Sequence, residues 1–168
     1  MGSPDVRVRA SFFEGMPLRI SVRPYRLQFK HPFGTAHGLR DGTDALFVRV
    51  EEDGWVGHGE ITLPPYPREG VPEARRRPRE IGAMHVWDME SLLSELDAIR
   101  ALRGSPATRA GLHTALCDAM ARRHDRSIAV ELGIAGLESP ATVLTIGICK
   151  PVEAIARLRE MPDKVALK

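Results

Sequence analysis

Few side chains in this sequence are placed to do chemistry, and none forms a self-sufficient set. His58 and Glu60 stand one residue apart, yet two donors make no metal site, because such a site takes three or four converging ligands. Cys117 and Cys149 are the only cysteines and neither lies in a Cys-x-x-Cys pair. With no disulfide framework, reduced thiols of a cytoplasmic protein are the expectation. Cys117 itself reads as a small buried hydrophobe, and His113 as a packed or surface residue. Arg75-Arg76-Arg77-Pro78-Arg79 is a basic cluster of the kind that can bind nucleic acid. The run is short, lacks interleaved aromatics and has Glu73 and Glu80 beside it. It therefore reads as a solvated helix or loop face, not a nucleic-acid site. Lys168, on residue type alone, is a solvated charge.

Composition narrows the classes further. The 168 residues fit one ordinary domain, or a small domain plus a piece of another. Hydrophobic residues make up 43 % and charged residues 27 %, enough for a core under a normal soluble surface. A formal net charge of +2 implies no polyanion partner. No apolar run approaches the roughly 18 residues of a membrane span, and the N-terminus lacks the apolar core of a signal peptide. Residues 1–17 are set aside as a tail.

The elements that must position these residues follow from periodicity. Leu18, Ile20 and Val22 alternate with polar residues, and after Pro24 the apolar parity flips to Tyr25, Leu27 and Phe29. A strand interrupted by a bulge produces that shift, and proline is tolerated there. His31 to Thr43, rich in Gly, His and polar residues, reads as a long loop of low local stability. Asp44 to Glu51 is a second strand with Leu46, Val48 and Val50 inward. Asp53-Gly54 signals a two-residue hairpin, whose central positions need positive φ, and Trp55 to Ile61 returns as a third strand. Leu63 to Trp87 gives no clear pattern. From Asp88, Leu92, Leu93, Leu96, Ile99 and Leu102 recur at helical spacing, with Gly104 to end that helix. Ser105-Pro106 then supplies a cap and a first-turn proline for a helix with Leu112, Ala115, Leu116, Ala119 and Met120 as its apolar stripe. Ser127 caps a short helix closed by Gly133. Thr142 to Ile148 as a strand, Pro151 to about Arg159 as a helix and Val165 to Leu167 as a strand make a β-α-β beginning.

Several passages together resemble the muconate-lactonising and mandelate racemase branch of the enolase superfamily. Ala110, Gly111 and Leu112, then Ala115-Leu116-Cys117-Asp118-Ala119, Ala121-Arg122, Ser127-Ile128 and Leu132-Gly133 are similar to the signature of its capping-domain helices. The chain departs from that signature at Thr108, His113 and Glu131. Pro32-Phe33-Gly34-Thr35-Ala36-His37-Gly38 resembles its lid loop, and Gly54-Trp55-Val56-Gly57-His58-Gly59-Glu60 its hairpin return. Thr145-Ile146-Gly147-Ile148 sits where the first barrel strand belongs. On the lid loop and the Thr145 strand, dipeptide epimerases of the L-Ala-D/L-Glu type look most similar.

The resemblance implies an α+β fold: a capping domain over residues 18–140, built of a three-stranded antiparallel meander plus helices, then the first β-α-β of a (β/α) barrel over 141–168. A full barrel takes about 250 residues, so only its first unit fits here. It also implies an isomerase that abstracts the proton α to a carboxylate while Mg²⁺ stabilises the enediolate, the chemistry of that superfamily. The Mg²⁺ ligands are expected outside this chain, which alone should neither bind the metal tightly nor turn over. Lys168 falls at the first lysine of the family's Lys-x-Lys pair and is the implied catalytic residue. His37, in the lid loop, and Thr145 are the implied substrate-binding residues. His37 also reads equally as a surface histidine, and His31, Phe33 and Tyr66 as lining the same mouth or as packing residues. Glu60 and Asp118 read as structural, being far from the metal of this family. The implied partner is a small carboxylate substrate, a dipeptide first, with a homo-oligomer left open. Muconate cycloisomerase and o-succinylbenzoate synthase are rival activities, and a catalytically silent capping domain that only binds or assembles is the rival class.

Overall fold

The computed structural model describes residues 17–36, 38–63, 70–84, 87–138, 143–161 and 166–167. Three strands, β1 (Arg19–Thr35), β2 (Gly38–Glu52) and β3 (Trp55–Leu63), form one sheet in the order β1-β2-β3. The helices are α1 (Val71–Met84), α2 (Met89–Glu95), α3 (Pro106–Arg123) and α4 (Ile128–Glu131), with a 3₁₀ turn at Arg100–Leu102. A β-α-β unit closes the described chain: β4 (Val143–Leu144), α5 (Pro151–Arg159) and β5 (Ala166–Leu167), the two strands parallel. The architecture is the expected one, a meander followed by helices.

The chain divides into two compact units. One holds the described residues up to Tyr25 together with Asp44–Ala135; the other holds Arg26–Thr43 and the chain from Gly136 onward. In the first unit, β2 and β3 pair antiparallel from Asp44↔Leu63 to Glu52↔Trp55. Asp53 at φ 49° and Gly54 at φ 81° make the tight turn between them, the geometry an Asp-Gly pair favours. Leu46, Val48, Val50 and Ile61 are fully buried from the sheet side, and Leu92, Leu112, Leu116 and Ala119 from the helix side. On β1 Val22 is buried and Ile20 half-buried against the core, whereas beyond Pro24 Tyr25 and Phe29 are half-buried and Leu27 is exposed. Tyr25 stacks on Phe47, an exposed residue of β2, so the apolar positions after Pro24 do not continue the core-facing side and the expected shift of the inward face is not found.

Four further local expectations are corrected. The segment His31 to Thr43 is not a long loop: β1 runs to Thr35 and β2 starts at Gly38. Of the glycines here, Gly42 marks a close approach, whereas Gly38 takes a φ of 125° with open space around it. A Cβ on Gly42 would lie 2.5 Å from the Leu27 carbonyl oxygen, and the Arg26 guanidinium bonds Asp41 at 2.7 Å. The unpatterned stretch 63–87 contains α1, with Pro78 inside it. Among its described side chains the buried ones are Ala74, Pro78 and Ile81, too sparse a stripe to see beneath its arginines. The long helix expected from Asp88 to Gly104 is broken, because Ile99 is extended at ψ 113° between α2 and the 3₁₀ turn. Leu92, Leu96 and Leu102 nevertheless all reach the core. The strand expected over Thr142 to Ile148 is limited to Val143–Leu144, matching the two residues β5 offers as partners.

The helix ends follow local chemistry. Asp88 caps α2 by accepting from the Ser91 amide at 2.7 Å, and the Ser91 hydroxyl returns to the Asp88 backbone. Ser127 caps α4 through the Val130 amide, and Gly133 follows at φ 68°. Ser105 precedes the first-turn proline of α3 but makes no side-chain cap bond, so there the proline alone carries the start signal.

Glu52 is the one buried acid of the meander. Its side chain, 6 % exposed, accepts from the Met89 amide at 3.0 Å and pairs with Arg123 at 3.2 Å. Burial raises its pKa above the ordinary 4.5, with the Met89 amide and Arg123 opposing the rise. The folded state thus holds this proton more tightly than the unfolded chain. Its contribution to stability falls as pH climbs from the ordinary value through the raised one. Glu52→Gln, which keeps the acceptor for Met89, should flatten the urea-midpoint profile just above pH 4.5. An unchanged slope would assign the pH dependence to other groups.

Candidate functional site

Two constellations, one in each unit, contain the candidate site residues that the structure describes. In the first, β3 lies against α3 almost backbone to backbone. A Cβ on Gly57 would stand 2.0 Å from the Ala115 carbonyl oxygen, and one on Gly59 would stand 2.0 Å from that of Gly111. Gly111 is equally constrained, since its Cβ would meet Ile61 Cγ1 at 2.5 Å. Only glycine permits this approach. It lets Asp118 on α3 accept the His58 amide proton at 2.9 Å and bind the Arg122 guanidinium at 3.1 Å. Glu60 points to the other face, accepting from Thr62 Oγ1 at 2.7 Å and from the Tyr25 hydroxyl. Tyr25 stacks on Phe47 at 4.5 Å, and burial followed by the Glu60 contact raises its pKa.

These contacts occupy Glu60 and Asp118 structurally, as their sequence positions suggested. His58 approaches Asp118 only at 3.8 Å through Nδ1. Cys117 lies buried with Sγ 3.7 Å from His113 Nδ1. Burial, then the nearby Glu131 charge, pushes its thiol pKa up, which makes it a packed thiol and not an activated nucleophile. Among the described residues no three His, Cys, Asp or Glu side chains gather where a metal ion could be held. The donors present do not fit Mg²⁺, which needs a near-octahedral set of oxygens.

The second unit contains a cleft of about 290 Å³ lined by Lys30, His31, Phe33, Thr145, Arg157 and Glu160, with Gly147 at its edge. Thr145 is exposed in it, and His31 and Phe33 line it as well. Glu160 follows α5 and gathers two side chains from β1: Lys30 Nζ donates to its Oε2 at 2.7 Å, and His31 Nε2 lies 3.0 Å from the same oxygen. Those two hydrogen bonds, Lys30 first, hold the Glu160 carboxyl down at about pKa 2. Gly34 and Gly147 meet at the same wall. The Ile148 amide donates to the Gly34 carbonyl at 2.9 Å, and a Cβ on Gly34 would fall 2.2 Å from the Ile148 carbonyl oxygen.

Of the expected site residues, Thr145, His31 and Phe33 share this cleft. Lys168, His37 and Tyr66 lie outside the described residues. Sequence reasoning missed Lys30, Arg157 and Glu160. No local pattern marks them, since Lys30 and Glu160 meet across 130 positions of chain. No helix among the described residues is long and apolar enough to cross a membrane.

Comparison with known proteins agrees on one lineage. Residues 19–133 match the family model for "Mandelate racemase / muconate lactonizing enzyme, N-terminal domain". The L-Ala-D/L-Glu epimerase of Escherichia coli K12 is 33 % identical over 120 residues, 71 % of this chain and 36 % of that protein. The L-Ala-D/L-Glu epimerase of Bacteroides thetaiotaomicron is 28 % identical over 152 residues, 87 % of this chain and 38 % of that protein. Among solved structures, the dipeptide epimerase of Methylococcus capsulatus, complexed with Mg and the dipeptide L-Arg-D-Lys, superposes with a TM-score of 0.73 and 27 % identity. It covers 86 % of this chain and 42 % of its own. The chain thus spans under half the length of these relatives. It belongs to the mandelate racemase / muconate lactonizing enzyme family, of which it carries the N-terminal domain.

Proposed function

We propose that this chain is the N-terminal part of a Mg²⁺-dependent dipeptide epimerase that moves the proton α to a carboxylate. The observation that carries the reading is the match to the Methylococcus capsulatus dipeptide epimerase. It covers 86 % of the chain, more than residues 19–133 contain, so it extends beyond the capping helices. The two L-Ala-D/L-Glu epimerases support it independently of any structure.

What this chain contributes is on the substrate side. Thr145 offers a hydroxyl at the rim of the cleft, and Phe33 supplies an apolar wall. Lys30 is already neutralised by Glu160, whereas Arg157 gives the cleft a net positive character suited to an anionic substrate. His37 is assigned to recognition of the distal end of the dipeptide. Lys168 is assigned as the supporting cation beside the base, on the resemblance alone. Mg²⁺ would be held by carboxylates beyond the described residues, because those described gather no donor set for it.

The reading frame beyond the Lys168 codon, together with the intact mass of the protein from its source, tests this. A lysine two residues on, followed by spaced acidic residues, is expected. A stop codon directly after Lys168, with an intact mass matching 168 residues, would overturn the enzyme reading and favour a silent capping domain.

A further inference from the structure

Lys30, His31 and Glu160 belong to neither the sheet core nor the expected catalytic set, yet they join distant parts of one unit. We propose that Glu160 is a positioning residue, a clasp that fastens the outer stretch of β1 to the end of α5 and so fixes one wall of the Thr145 cleft. The assignment of that cleft to substrate rests on the epimerase reading; the clasp itself does not.

The geometry supports two points of attachment. At one, backbone meets backbone: the Ile148 amide donates to the Gly34 carbonyl at 2.9 Å, and a Cβ on Gly147 would stand 2.7 Å from the Gly34 nitrogen. Glycine on both sides makes that approach possible, but a single hydrogen bond is a pivot and leaves rotation about it free. At the other, Glu160 Oε2 takes Lys30 at 2.7 Å and His31 at 3.0 Å. Successive residues of a strand point to opposite faces, so gripping Lys30 and His31 together restrains the strand about its own axis. Pro32 and Phe33, between the two points, line the cleft opposite Leu144 and Thr145. Among the described residues, the charged groups lining the cleft at the clasp are Lys30, Arg157 and Glu160, with the His31 imidazole beside them. One carboxylate therefore stands among two permanent cations and an imidazole. Removing it leaves Lys30 and Arg157 with no carboxylate between them.

An isolated exposed ion pair contributes little, and Lys30 and Glu160 are 77 % and 44 % exposed. The expected effect is accordingly local and moderate. Amide hydrogen exchange on the 168-residue protein tests it. Glu160→Ala should speed exchange of the Ile148 amide and of the amides of Lys30, His31, Phe33 and Gly34 about three- to fivefold, while the amides of Leu46 and Val48 keep their rates. Lys30→Glu combined with Glu160→Lys, which restores an opposite-charge pair, should recover at least half of the lost protection. Unchanged exchange at Ile148 in Glu160→Ala would overturn the clasp, as would failure of the charge-reversed pair to restore protection. An altered exchange pattern in the 168-residue protein, together with a folded complete polypeptide that exchanges the α-proton of no dipeptide, would leave the clasp standing and defeat only the reading of the cleft as a substrate site.

Discussion

Gly59→Ala should destabilise the meander by about 3 kcal/mol or more, the upper range for forcing volume into a packed site. The new methyl would fall 2.0 Å from the Gly111 carbonyl oxygen and 2.9 Å from the Ala115 amide nitrogen. Both obstacles are helix backbone, so no rotamer change can relieve the clash. Either α3 shifts away from β3 or the strand bends. A shift of α3 would also stretch the bond from the His58 amide to Asp118, 2.9 Å in the native protein. Gly82→Ala is the internal control of opposite sign. It lies within α1, where its Cβ would meet nothing nearer than Ile20 Cβ at 3.9 Å. Alanine there should stabilise by about 0.5–1 kcal/mol through helix propensity. Urea titrations of the two variants read both effects. Equal midpoints for Gly59→Ala and wild type would show that β3 and α3 do not pack this closely in solution.

The second large effect concerns Lys168 in the proposed enzyme. A cation within about 4–6 Å of a lysine base disfavours the charged form of that base, leaving a neutral amine able to accept a proton near pH 7. Lys168→Met in the complete polypeptide should therefore lower kcat by about 10²-fold or more. The acidic limb of the rate profile, along which the base loses its proton, should move to higher pH, because the base holds its proton more tightly once the neighbouring charge is gone. The circular dichroism spectrum should not change. Wild-type kcat in this variant would make Lys168 an ordinary surface lysine and shift the register of the barrel strand.

Much of the fold was legible because it rests on short-range chemistry. Asp53-Gly54 names its own turn, Ser127 its own cap, and the alternation of Leu46, Val48 and Val50 its own buried face. The glycines were legible as a pattern but not as a cause. Gly57 and Gly59 serve a close strand–helix contact, and Gly42 a close strand–strand contact, where composition had suggested a loop. Helix α1 was hidden because its buried stripe, among the described side chains, is Ala74, Pro78 and Ile81, one of them a proline. The candidate site was legible only in part. Thr145 lines the cleft but stands just past the two-residue β4, not on the longer strand expected there, and the Lys30–His31–Glu160 cluster is a tertiary event with no local signature. A glutamate just beyond a short helix carries no mark of a lysine 130 positions earlier.

The most direct test of the central claim is deuterium incorporation at the glutamate α-carbon of L-Ala-L-Glu and L-Ala-D-Glu, followed by proton NMR in D₂O with Mg²⁺. Proton abstraction by an epimerase exchanges that hydrogen whichever isomer is supplied. The polypeptide that carries this chain on through the barrel should lose the α-proton signal of both isomers and interconvert them. Residues 1–168 alone should leave it intact. Exchange catalysed by the 168-residue chain itself, or a folded complete polypeptide that exchanges the α-proton of no dipeptide offered, would contradict the account.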